Sequence, residues 1–153
     1  MGVRSSTIVV DLGWNKILKN IKDLDGSSVD IGIFGNGGSA SENLAERAAV
    51  HEFGTHSGKI PSRPFMRNAF DQNKKNLRKF IEKQYDRMIA GNQNASMVRK
   101  RTGEWFTGKV KEEITTGRFR PLSLLTITRK GSSKPLIDTG EMRASTKYKE
   151  NRK

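Results

Sequence analysis

Apolar positions change their spacing several times along this chain, and each change marks an element. Residues 7–12 contain Thr7, Ile8, Val9 and Val10, a β-branched run that predicts a short first strand. Trp14, Ile17, Leu18, Ile21 and Leu24 then fall three or four apart, one face of a helix over 14–24. The Asp-Gly-Ser-Ser stretch at 25–28 predicts a turn. Over 29–34 the period shortens to two, so Val29, Ile31 and Ile33 share a face of a second strand. A glycine-rich loop at 35–39 follows. Ser41 is placed to cap a helix whose Leu44, Ala45, Ala48, Ala49 and Glu52 fall on successive turns, with Gly54 as its stop.

Pro61 and Pro64 exclude helix from the loop at 55–64. Pro64 suits the first position of a long helix, where a missing N–H leaves nothing unpaired. Met66, Ala69, Phe70, Asn73, Leu77, Phe80, Ile81, Gln84 and Met88 line one side of it, and Arg67, Lys74, Lys75, Arg78, Lys79 and Lys83 load its flanks. Gly91-Asn92 ends it. A second helix over 95–116 turns Val98, Trp105, Phe106, Val110 and Ile114 inward, Gly117 closes it, and the two helices form a hairpin. Beyond 118 come short apolar pieces between turns. Residues 122–127 are apolar, 129–134 read as a basic loop, Thr139 caps a single turn through Met142, and 144–149 read as a last strand. The first few residues and 150–153 are expected to fray. The pattern predicts one domain over 1–153 of α+β class, a small antiparallel sheet packed against a long helical hairpin and a shorter helix.

Composition thins the core that this pattern implies. Hydrophobic residues are 33% and charged residues 29% of the chain, so part of it is expected to order only against partners. The absence of cysteine excludes disulfides and thiolate metal sites. The apolar run at 8–10 is too short for a signal-peptide core, and nothing approaches the roughly 20 apolar residues of a spanning helix. The expectation is a soluble protein used inside a cell or particle, with no membrane partner. The net charge of +13 is unevenly held: residues 1–62 carry 6 Lys+Arg and 7 Asp+Glu, whereas 63–153 carry 23 and 9. Such a surface suits phosphate or an acidic protein partner, or serves as a solvated face that keeps a subunit soluble.

The chemistry that the sequence superficially offers does not hold together. His51 and His56 are five apart, about 140° round a helix, where zinc-protease histidines need a spacing of four. Gly54 breaks the helix between them, so Phe53 is expected to pack inward with both histidines at the surface. The loop at 35–39 lacks the Gly-Lys-Ser/Thr ending of a phosphate loop. Ser39 and Ser41 have no evident base. No zinc-finger spacing or helix-turn-helix presents itself, although the basic helix from 64 could touch phosphates without sequence preference. The reading is not an enzyme, with no metal and no cofactor.

Two segments are more distinctive. One is Ala48-Ala49-Val50-His51-Glu52-Phe53-Gly54-Thr55 followed by Ile60-Pro61-Ser62-Arg63-Pro64-Phe65-Met66-Arg67. The other is Gly117-Arg118-Phe119-Arg120-Pro121-Leu122-Ser123, continuing through Thr126–Gly131 into Lys134-Pro135-Leu136-Ile137-Asp138-Thr139-Gly140-Glu141-Met142-Arg143. In order and spacing they resemble the virion-morphogenesis and tail-completion proteins of long-tailed bacteriophages, relatives of tail terminators. The likeness covers about residues 29–149. It implies a small α+β structural subunit that forms a ring in the neck and joins the head connector to the tail. Its partners would be copies of itself, connector or adaptor proteins, the tail terminator or tube, and genomic DNA in the channel. Its location would be the virion neck, and the host cytoplasm during assembly. Two alternatives stay open: a tail terminator capping the tube, and a nonspecific nucleic-acid-binding protein.

The candidate assembly or fold residues are Glu52, Phe53, Gly54, Arg63, Pro64, Phe65, Pro121, Leu136, Asp138, Thr139 and Gly140. The candidate DNA-facing or partner-facing cations are Arg129, Lys130 and Lys134. Glu52 to Thr55 is expected to end a helix with a buried aromatic and a glycine stop. Arg63 stands at a helix start, where the dipole disfavours a cation. It is therefore expected to pair with an acidic group, from Glu52 or from a neighbouring subunit. Residues 136–140 are expected to anchor the end of the chain to the core. The loops at 35–41 and 129–134 are the candidates to order on assembly.

Overall fold

The computed structural model describes residues 12–35 and 39–152, with the backbone alone described over 39–42. The strand expected to begin at Thr7 and the fraying expected of the first residues lie outside the described residues, as do 36–38 and Lys153.

The first helix, α1 (Trp14–Leu24), starts from Gly13 at φ 102° and has the expected bounds. Its apolar face is only partly used. Leu24 packs inward, but Trp14 and Ile21 stay exposed. The buried residue is Asn20, whose Oδ1 accepts the Ala95 N–H at 3.3 Å. β1 (Ser28–Ile33) follows the expected turn, and α2 (Ser39–Phe53) follows the glycine-rich stretch. Because α2 begins at Ser39, Ser41 stands inside its first turn and is not its cap. At the other end Gly54 has φ +77°, and a Cβ there would sit 2.9 Å from the Ser62 nitrogen and 3.0 Å from the Ile60 carbonyl. Only glycine fits, for its backbone conformation and for the closeness of that strand of loop.

The long hairpin is as expected. It pairs α3 (Phe65–Ile89) with α4 (Ala95–Thr116) through a turn in which Gly91 takes φ +79° and Asn94 Oδ1 accepts the Met97 N–H at 2.9 Å. Pro64 is the N-cap of α3, one position before the one expected. Phe80 stacks on Trp105 at 5.3 Å and Phe70 meets Phe106 edge-on at 6.2 Å. Gln84 is buried with Gln93, whose Nε2 donates to the Gln84 carbonyl at 2.6 Å.

The C-terminal stretch departs most from expectation. Arg129 and Lys130 form the last turn of a helix, α5 (Leu124–Lys130), so only 131–134 is loop. Thr139 does not cap α6 (Glu141–Ala144). Gly140, at φ 81°, is the N-cap, and Thr139 Oγ1 accepts the Glu141 N–H only at 3.4 Å. β2 (Thr146–Asn151) lies two residues beyond its expected position. Glu150 and Asn151, expected to fray, are held in it by pairing with β1.

The fold is α+β. β1 and β2 pair antiparallel, from Ser28↔Asn151 to Ile33↔Thr146, and this small sheet packs on the α4 side of the hairpin, with α2 against β1 and α3. Thr146 is fully buried and donates from Oγ1 to the Met142 carbonyl at 3.0 Å. Arg99, also buried, joins three elements. Its guanidinium meets Asp23 Oδ2 at 3.1 Å and Glu150 Oε2 at 3.3 Å, tying the end of α1 and β2 to α4. A buried cation so paired costs desolvation but fixes register, because losing either carboxylate leaves charge uncompensated. The main core gathers Ala48, Phe65, Ala69, Phe106, Val110, Ile114, Leu136 and Met142, and Met88, Ala95 and Val98 form a second cluster at the hairpin turn.

Candidate assembly surfaces

The first distinctive segment forms a knot between α2 and α3, and Glu52 is its centre. Pro64 has no side-chain oxygen with which to cap α3. Glu52, buried at the end of α2, does so from outside. Its Oε2 accepts the Met66 N–H at 2.8 Å, and its Oε1 accepts the Arg67 N–H at 3.2 Å. Those are the second and third donors of the helix, the two that an N-cap side chain ordinarily satisfies. Arg67 then closes on the same residue, with Nε 3.0 Å from Oε1 and Nη2 2.8 Å from the Glu52 carbonyl. Ser62 Oγ donates to that carbonyl as well, at 2.8 Å. The carboxylate offsets the cost of a cation in the first turn of α3.

Two expectations are corrected here. Arg63 does not pair with Glu52, which is fully engaged with Arg67 and the helix N–H groups. Arg63 is buried, its N–H donates to the His51 carbonyl, and its Nε donates to the Arg120 carbonyl at 3.1 Å. Among the described residues no carboxylate lies within ion-pair distance of it. Burial, and then the nearby Arg120 charge, lower its pKa from the usual arginine value. Phe53 does not pack inward either. It is 71% exposed, with the Arg67 guanidinium 5.5 Å above its ring. The inward place at the end of α2 belongs to Glu52, and the next residue is turned about 100° away. His56 is exposed as expected. His51 is half-buried, and its Nδ1 is buried without a hydrogen-bond partner. Burial first, then Arg63, Lys130 and Arg47, push its pKa below the ordinary 6.5.

The second segment lies against the first. Leu136 and Met142 share the core with Ala48 and Phe65, with Phe119 and Ile137 packed beside them, and Arg63 reaches Arg120. Leu136 is buried at φ 63°, the one non-glycine residue with positive φ among those described. Such strain persists only where packing holds the residue, which fits its anchoring place. Pro121 and Asp138 are exposed. Between them in the chain, α5 is capped by Ser123 and ended by Gly131 at φ 69°, yet none of its residues is fully buried, and Leu124 and Leu125 are 82% and 85% exposed. Arg129 and Lys134 are exposed, while Lys130 donates from Nζ to the Lys134 carbonyl at 2.9 Å. Sequence reading missed α5, although Ser123 before it and Gly131 after it are helix start and stop signals. It also missed Arg67 and Arg99, whose partners are distant in sequence and carry no local signal.

A separate surface is basic. α3 holds seven Lys or Arg residues against three acidic ones, and Lys75, Lys79 and Lys83 form an exposed stripe at successive turns. Among the described residues no three His, Asp or Glu side chains gather as a metal site requires, and no helix is long and apolar enough to cross a membrane. Comparison with protein-family models, curated proteins and solved structures finds no match for this chain.

Proposed function

We propose that this chain is a structural subunit of a tailed-bacteriophage neck, joining into a ring between the head connector and the tail. One observation carries the reading. The two segments that resemble tail-completion proteins, some fifty residues apart, pack against each other, and the most exposed large apolar side chains between residues 39 and 152 are Phe53 in the first and Leu125 and Leu124 in the two-residue gap between the pieces of the second. Two adjacent leucines this exposed support a surface that a partner covers, where a lone exposed apolar residue would not. A ring is built from one heterologous contact repeated until it closes, so each subunit offers two different patches. The neighbour would cover Leu124 and Leu125 and supply the carboxylate that Arg63 lacks among the described residues. The site of action is then the virion neck, reached from the host cytoplasm during assembly.

Negative-stain imaging and mass measurement of the purified chain, alone and with connector particles, test this. The expected result is a closed ring of uniform subunit number, lost in a Leu124→Glu/Leu125→Glu variant that keeps wild-type helicity. A chain that stays monomeric under every condition, with connector present, would overturn the reading. A tail terminator is the nearest alternative, and it would co-purify with tail tube instead of connector. The basic stripe of α3 favours one further feature, contact with passing DNA through phosphate charge alone.

A further inference from the structure

The sheet does not cover the helices beneath it. Two strands about 4.8 Å apart shield about 10 Å of width, whereas two packed helices present about 20 Å. Both strands lie on α4, and among the described residues neither packs on α3 to a comparable extent. The uncovered half is an apolar groove of about 590 Å³, with Val29 and Ile31 of β1 on one side and Phe70, Leu77, Ile81 and Tyr85 of α3 on the other. Phe70 and Tyr85, at its two ends, are 47% and 42% exposed. β1 pairs with β2 along one edge, and among the described residues nothing pairs with the other. An open edge beside an apolar floor is a seat for one more strand.

We propose that the occupant is the chain's own N-terminal segment, residues 7–11, added antiparallel to β1 as the third strand of the sheet. Composition, reach and direction each support this. Thr7-Ile8-Val9-Val10 is the β-branched run that suits such a seat. A five-residue strand over 7–11 spans about 17 Å, and so covers most of the groove floor from Phe70 to Tyr85, which rises about 22 Å along α3. The described chain starts at the right end. Lys16 donates from Nζ to the Gly91 carbonyl at 3.2 Å, which fixes the start of α1 beside the hairpin turn, nearly two helical turns beyond Tyr85. β1 begins at that same end, because Val29 pairs with Glu150, which meets Arg99 early in α4. A segment arriving at Leu12 runs toward the turn while β1 runs away from it, so the two are antiparallel. This seat is independent of whether the chain builds a ring.

The chain has no cysteine, so pairs can be introduced cleanly in the full-length protein. Each of positions 7 to 11 is changed to Cys in turn (Thr7→Cys through Asp11→Cys), always with Ile31→Cys, and oxidised. Adjacent strand residues face opposite sides, and directly opposed pairs come within disulfide reach. The expected result is an intramolecular disulfide at one or two positions of the same parity, at least tenfold above the positions between them. No disulfide at any position, or a yield without alternation, overturns the proposal. A disulfide formed between two chains also overturns it, and assigns the groove to a neighbouring copy's segment. A second measurement avoids engineered thiols. Hydrogen exchange on a chain lacking residues 1–11 should show at least tenfold faster exchange at the β1 amides not used by β2, with the amides of α4 unchanged. Equal protection in the two chains counts against the third strand.

Discussion

Glu52 does the work of a residue that α3 does not possess. The first turn of that helix follows proline, so its free N–H groups depend on a carboxylate from another helix, and that carboxylate is buried with them. Removing it leaves two donors unsatisfied and Arg67 without its partner. Glu52→Ala is expected to destabilise the protein by about 2 kcal/mol, the upper range for an N-cap because the donors are shielded from water. Glu52→Gln, which keeps an acceptor, should lose about half of that. Arg67→Ala should lose less than about 1 kcal/mol, since that side chain is 57% exposed and solvent screens its pair. Urea unfolding with unchanged slope measures all three. If Glu52→Ala falls within about 0.5 kcal/mol of wild type, the carboxylate is not what holds the start of α3.

At the scale of elements, α4 carries two glycines with opposite roles. A Cβ at Gly103 would stand 2.5 Å from the Tyr148 ring, whereas one at Gly108 would meet nothing within 4 Å. Gly103 lets β2 settle onto the helix, while Gly108 only weakens it. Gly108→Ala is therefore expected to stabilise the protein by about 1 kcal/mol, the helix-propensity difference. Gly103→Ala should destabilise by about 1–3 kcal/mol, because crowding against a packed ring outweighs the same propensity gain. Thermal unfolding of the two variants reads the signs, and a stabilising Gly103→Ala would mean that Tyr148 moves aside at no cost. Neither role is written locally, and the same holds for much that the sequence left illegible. The bounds of α1 and α4 were legible because their apolar periods and capping residues act within a few positions. The α+β class was legible for the same reason. Phe53 and Arg63 were misplaced because Glu52 had an unseen use, the uncapped start of α3. α5 was passed over because its leucines do not face this chain's core, and apolarity alone does not say which surface a side chain meets.

At the scale of the whole molecule, the most exposed apolar side chains between residues 39 and 152, Leu125, Leu124 and Phe53, fall within 48–67 and 117–143, while α3 combines exposed Phe70, Tyr85 and Ile89 with a stripe of cations. Lys75, Lys79 and Lys83 project there at intervals of four, and among the described residues none of them has the carboxylate partner that Arg78 finds in Glu82 at 3.0 Å. A ring whose lumen is lined by this stripe would hold DNA by charge, without reading its sequence. Each phosphate neutralised on duplex DNA contributes about 0.9 to the slope of log K against log salt. Replacing all three lysines by glutamine should therefore lower that slope by about 2.7, and weaken binding equally for unrelated sequences. Fluorescence anisotropy of labelled duplexes over a salt series measures both quantities. Wild-type protein that fails to bind at low salt would remove DNA from the account and leave the stripe to an acidic protein partner. Binding with an unchanged slope in the triple variant would move the contact to the other free cations, Arg129 and Lys134 first among them.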